Sequence, residues 1–135
     1  MDRRRFLKAI TCLPVFALFP CSEIGSPDVP RYKTRDVLLL RANVAGFRYY
    51  GGNRVLSRIN AGDTVIMRRE PRNPYDRRAI ALYWGNEKLG YIPRADNLVI
   101  ANLLDQGASL KARVMKKKIR GNPHEMIEIQ VRFST

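Results

Sequence analysis

Short strand-like stretches, some apolar throughout and some alternating with period two, follow one another after residue 36, interrupted by one stretch of helical spacing. Val37 to Val44 begins as a continuous apolar run and ends toward Gly46, the pattern of a well-buried first strand. Gly62-Asp63 marks a turn into a short strand, Thr64 to Arg69. Ala79 to Trp84 places Ile80, Leu82 and Trp84 on one face and Ala81 and Tyr83 on the other. Gly85-Asn86 supplies hairpin chemistry, and Leu89 to Ile92 returns. Pro93 closes that strand. Arg94 to Gln106 then switches to helical spacing, with Leu98, Ala101 and Leu104 on one stripe and Gly107 as terminator. Ser109 to Lys116 sets Leu110, Ala112 and Val114 opposite Lys111, Arg113 and Met115, and Glu125 to Phe133 repeats the pattern through Ile127, Ile129, Val131 and Phe133. A basic hairpin loop, Lys116 to Pro123, joins them. Six short strands and one helix predict a mainly β fold: a small, six-stranded, partly closed β-barrel of OB or SH3 type with one main α-helix.

The first 35 residues break this pattern. Asp2 to Lys8 is basic and is followed by an apolar run from Ala9 to Phe19, interrupted by Pro14. Those are the parts of an export signal over residues 1–21, and Arg3-Arg4-x-Phe6-Leu7-Lys8 resembles a twin-arginine motif, with Asp2 where Ser or Thr is usual. The run falls short of the roughly 20 residues of a membrane span. Pro20 stands where a lipid-modified Cys21 would want a small residue. Residues 22–35 read as a linker, which leaves 36–133 as the domain. A working signal implies periplasm or cell envelope; without one the chain is expected in the cytoplasm.

The chain is strongly basic. The 135 residues carry 25 Lys and Arg against 12 Asp and Glu, a net +13, and removing Met1 to Val29 leaves 21 against nine, or +12. Most of the excess lies beyond the export signal, the larger part of it in the domain. Nucleic acid, anionic lipid or an acidic protein are the partners it suits. Both cysteines, Cys12 and Cys21, precede the domain and His124 is the single histidine, so neither a thiolate zinc site nor an imidazole metal centre is expected. No nucleophile elbow, phosphate-binding loop or dinucleotide fingerprint occurs. Asp63, Glu70, Asp76 and Asp96 could in principle converge on divalent ions as in a nuclease, but three of them stand at turns or helix starts, where capping is the commoner job. A non-enzymatic monomer without cofactor or small-molecule substrate is the expectation.

Binding chemistry is concentrated in Arg69 to Arg94. Asn73-Pro74 initiates a turn that presents Tyr75 and Asp76, and Arg68, Arg69, Arg72, Arg77 and Arg78 surround that one acid. Tyr49 and Tyr50 beside Arg48, and Tyr75 beside Arg72, Arg77 and Arg78, combine cations with aromatic faces, as single-stranded nucleic acid requires. Adjacent residues of an extended chain face opposite ways, so one of Tyr49 and Tyr50 is expected to stack and the other to pack inward. Asp76 has two readings of equal standing: it accepts a hydrogen bond from a sugar hydroxyl, or it braces the turn or pairs with Arg77 or Arg78. Lys116 to Lys118 reads as a solvated tip.

Three blocks then carry a resemblance. Phe47-Arg48-Tyr49-Tyr50, Arg69-Glu70-Pro71-x-Asn73-Pro74-Tyr75-Asp76-x-x-Ala79-Ile80 and Leu89-Gly90-Tyr91-Ile92-Pro93-Arg94 are similar, in order and spacing, to the blocks of the HIRAN domain. The likeness spans Asp36 to Phe133. It implies a small β-barrel with helical additions that, as in eukaryotic relatives, binds single-stranded DNA and captures its 3′ end. By matching position it assigns Arg48 and Tyr49 to the DNA chain near its terminus, Tyr75 to a terminal base, Asp76 to the 3′-hydroxyl and Arg94 to a phosphate. Tyr91 replaces a histidine and could donate to phosphate through its hydroxyl. The aromatic of the relatives' final hairpin has no clear counterpart, His124 being nearest. The alternative reading is an exported, envelope-associated basic protein that binds anionic lipid, polysaccharide or an acidic partner.

Overall fold

A computed structural model describes residues 36–134; the export signal and the whole of the linker fall outside the described residues. Six strands form one antiparallel sheet: β1 (Val37–Asn43), β2 (Thr64–Arg69), β3 (Ile80–Trp84), β4 (Glu87–Tyr91), β5 (Leu110–Lys117) and β6 (Ile127–Phe133), in the order β1-β6-β5-β2-β3-β4. The two edges do not pair along their length, so the sheet is not a closed barrel. They meet at one point, where Ala45 and Tyr91 exchange backbone hydrogen bonds of 2.8 and 2.9 Å.

Alternation explains the core. Ala112 and Val114 of β5 and Ile127, Ile129 and Val131 of β6 point inward and are buried, joined by Val65, Ile80, Leu82 and Leu89. In β3 the expected two-faced pattern is incomplete: Ile80, Ala81 and Leu82 are all fully buried, because the strand is covered on both faces. Trp84, at its end, is half-buried; its indole N–H donates to Asp63 at 3.1 Å and Arg58 lies 5.6 Å over its ring.

Between β1 and β2 the chain makes a 3-10 turn (Phe47–Tyr49) and a short helix, α1 (Gly52–Val55), that the sequence pattern did not disclose. The turn corrects one expectation: neither Tyr49 nor Tyr50 enters the core, and Phe47 does, because a 3-10 turn does not alternate its side chains as a strand would. The main helix, α2, runs Asn97–Asp105, starting after a Pro93–Asp96 turn and not at Arg94. Its buried stripe is Asn97, Ile100 and Ala101, while Leu98 is exposed. Gly107 ends it at φ 79°: the Gly107 and Ala108 amides donate to the carbonyls of Leu104 and Leu103, a Schellman close.

Candidate nucleic-acid interface

The Asn73–Arg78 loop is built by its own side chains. Asn73 Oδ1 accepts from the amides of Tyr75 (2.9 Å) and Asp76 (3.3 Å), the local turn that Asn before Pro favours. Its Nδ2 donates to Glu70 at 3.0 Å. Arg69 ties the loop to α2: Nε and Nη2 donate to the two oxygens of Asp105 at 2.9 and 3.0 Å, while Nη1 and Nη2 also reach the Ala79 and Arg77 carbonyls. That arginine is a brace. Arg68 lies 4.8 Å over the Tyr83 ring, which leaves Arg72, Arg77 and Arg78 as the exposed cations of the loop.

The loop overhangs a cleft of about 400 Å³ whose walls include Tyr50, Tyr75, Asp76, Tyr91 and Arg94. A polar extension of about 430 Å³ continues past Asp76 and Arg94 to Arg77, Arg78 and Asn97. Tyr75 is 86% exposed, an aromatic face on which nothing stacks among the described residues. Asp76 is half-buried beneath it. One carboxylate oxygen accepts from the Arg78 amide (2.9 Å) and the other from Asn97 Nδ2 (2.7 Å). The Arg78 amide foremost, then the Asn97 amide and the charges of Arg94 and Arg78, hold this carboxyl below its ordinary value despite partial burial. Two acceptor positions are used of the roughly four an ionised carboxylate has. The bracing role is therefore real, and it leaves capacity for a ligand hydroxyl.

Tyr91 shows a different arrangement from the one its position suggests. Its ring lines the cleft, but its hydroxyl donates to Glu70 (2.8 Å) and accepts from Lys88 (2.7 Å), so the hydrogen expected for a phosphate is committed. Lys88 also lies 3.3 Å from Glu70 and over the rings of Tyr50 (4.8 Å) and Tyr91 (4.3 Å). Burial pushes the Glu70 carboxyl upward, but hydrogen bonds from Asn73, Tyr91 and Lys88 outweigh it and leave it below its ordinary value. Lys88 is raised, its desolvation outweighed by Tyr91 and Glu70.

Tyr75, Asp76, Tyr91 and Arg94 thus share one cleft, and Arg48 and Tyr49 do not line it. Tyr49 is 79% exposed on the 3-10 turn, whose final cap, Tyr50, supplies the wall instead, its ring edge-on to Tyr91 at 5.6 Å. His124 sits on the far hairpin in the 3-10 turn Pro123–Glu125 and is not part of the cleft lining. Asn97 and Lys88 were missed by sequence reasoning, while Tyr50 had been weighed against Tyr49 as the one to stack or to pack inward and Glu70 only as one of four acids. Asn97 had a signal: it is a polar residue three and four positions before Ile100 and Ala101, on the buried stripe.

A curved antiparallel sheet of OB-like form, with a tyrosine-walled, arginine-rimmed cleft beside one edge, defines a nucleic-acid-binding class of domain. The family model of the HIRAN domain matches residues 37–134, and the chain belongs to that family. It is 36% identical over 93 residues to mouse helicase-like transcription factor, covering 64% of this chain and 9% of that protein. A crystal structure of a protein from Lactobacillus plantarum is similar at TM-score 0.64 and 31% identity, covering 75% of this chain and 98% of that one. The HIRAN domain of human HLTF is similar at TM-score 0.57 and 27% identity, covering 73% and 78%.

Proposed function

We propose that the domain binds single-stranded DNA and captures its 3′ end in the cleft, without catalysing a reaction. The observation that carries this reading is the sharing of one cleft by an unstacked Tyr75 ring, the Asp76 carboxylate and the Arg94 guanidinium. Tyr75 stacks on the terminal base, Arg94 holds a phosphate, and the free acceptor positions of Asp76 take the 3′-hydroxyl. A terminal phosphate has no proton to offer at that place and repels the carboxylate. Arg48 and Tyr49, on the turn leading to Tyr50, meet the strand as it leaves the cleft. The ring of Tyr91 forms the floor of this site and its hydroxyl holds the floor to Glu70.

The acids support a role in binding. Asp63 accepts from Asn60 and Trp84, Glu70 is engaged by Tyr91, Asn73 and Lys88, and Asp76 by Arg78 and Asn97. Among the described residues no three His, Cys, Asp or Glu side chains gather as a metal would need. The test compares strands ending in a 3′-hydroxyl and a 3′-phosphate. The phosphate is expected to weaken binding by about tenfold or more, and Tyr75→Ala to cost about 1 to 3 kcal/mol on either strand. Equal affinity for the two ends would remove end capture from the proposal.

A further inference from the structure

The solvent face of the sheet carries a second concentration of charge, away from the cleft. Strand register puts Lys111 directly opposite Arg132, with Leu38 on the other side of Arg132. The next row reads Arg41, Gln130, Arg113 and Thr64 across β1, β6, β5 and β2. A third sets Asn43, Glu128 and Lys116 side by side. The inward residues between these rows, Ala42, Ala112, Val114, Ile129 and Val131, are buried, so the rows lie on the outer face, where Arg41, Lys111, Arg113 and Lys116 are exposed and Glu128, Gln130 and Arg132 half-buried. Five cations stand with one acid, Glu128.

An outward position needs a polar residue; it does not need a cation. Opposed like charges sit only about 4.5 to 5.5 Å apart at Cβ and oppose folding. Protection of a sheet edge explains lysines on edge strands, yet β5 and β6 are interior strands. Nor are these charges neutralised: among the described residues Lys111, Arg113, Arg41 and Lys116 form no ion pair, and Arg132 makes one hydrogen bond, to the Asp36 carbonyl at 3.3 Å. A bound polyanion would relieve that repulsion.

We propose that this face is a second, sequence-independent surface for the phosphate backbone of duplex DNA. Its rows hold no aromatic side chain, so they offer unpaired bases nothing to stack on. A duplex hides its base faces and displays phosphates, and a face rich in cations and without aromatics matches it. The cleft, with its tyrosines, matches the unpaired end. The two surfaces divide one substrate, a duplex with a 3′ single-stranded tail. The inference rests on the nucleic-acid reading of the domain but on residues other than those of the cleft.

The test uses the full chain, phosphatidylglycerol vesicles and three DNA probes: a short single strand, the same strand as the 3′ tail of a duplex, and the duplex with blunt ends. The unsubstituted protein is expected to bind the tailed duplex about tenfold or more tighter than the strand alone. Lys111→Gln/Arg113→Gln/Arg132→Gln should abolish that gain, leave strand affinity unchanged and lower the salt slope for tailed duplex by about 2 to 3. Lys111→Arg/Arg113→Lys/Arg132→Lys should retain the gain. No gain from the duplex in the unsubstituted protein, or equal losses on strand and tailed duplex in the glutamine variant, would overturn the inference. So would a glutamine variant that keeps duplex binding and loses only its binding to phosphatidylglycerol vesicles. Blunt-duplex binding that survives Tyr75→Ala and is lost in the glutamine variant upholds this face, whatever becomes of the cleft.

Discussion

Asp76 is held from two sides, and its partner on α2 carries an unusual feature. Asn97 is 1% exposed, donates through Nδ2 to Asp76, and leaves Oδ1 buried with no hydrogen-bond partner among the described residues. A buried acceptor left unmade costs free energy, so the helix tolerates a penalty to hold that carboxylate in place. The same feature makes Asp76→Asn a clean probe. The new amide can still accept from the Arg78 amide, and rotation of the Asn97 side chain would offer its unused Oδ1 to the new NH₂ group. The variant is therefore expected to fold, without the charge. Because the Arg78 amide, Asn97 and the nearby arginines hold the folded carboxyl below its ordinary value, its contribution to stability is fully present above that value. It is lost as pH falls through the depressed folded value. Thermal melts at decreasing pH should show the unsubstituted protein losing stability more steeply than Asp76→Asn below about pH 4. Glu70, Asp105 and Glu125 are also depressed and contribute to both curves, so the difference between the curves is the readout. Parallel curves would deny Asp76 its hydrogen-bonded state.

At the scale of elements, the cleft depends on β4 reaching Ala45. Gly90 makes this possible: it sits at φ 148° beside a register shift in the β3–β4 pairing, and a Cβ there would collide with the Ala45 carbonyl and Val44. Gly90→Ala is expected to cost about 2 to 4 kcal/mol in denaturant unfolding. It should also weaken strand binding, since Ala45 and Tyr91 both line the cleft. A variant as stable as the unsubstituted protein would show the bridge to be dispensable. Such elements differ in how far the chain announces them. β5 and β6 were legible because period-2 alternation persists over seven or more residues and reports one buried face directly, and β2 was legible from the Gly62-Asp63 turn before it. Gly52–Val55 is too short to show any period, so α1 was invisible. The Asn73–Asp76 turn was readable because its chemistry is local. The Glu70-Lys88-Tyr91 cluster was not: its members come from the end of β2 and from β4, and only the pairing of β3 with both brings them together.

At the scale of the molecule, charge and contact have to be separated. Residues 36–134 hold 18 Lys and Arg against nine Asp and Glu, a net +9, but they are not one surface. Arg69 is locked to Asp105, Lys88 to Glu70 and Lys118 to Glu125. Lys117 reaches toward the carbonyls of Leu56 and Ser57 at 3.4 Å. The cleft and its extension present Arg94, Arg77 and Arg78, with Arg48 on the adjoining turn. A short single strand bound there should neutralise about three or four phosphates, which predicts a slope of log affinity against log salt of about −2 to −3. If the net charge acted as a diffuse whole, about nine phosphates would be engaged and the slope would approach −6. Titration of one short strand over a range of salt concentrations separates these cases. A shallow slope that loses about 0.7 on Arg94→Gln ties affinity to the cleft. A steep slope indifferent to that substitution would return the chain to the description its composition first suggested, a basic surface with no preferred place for its ligand.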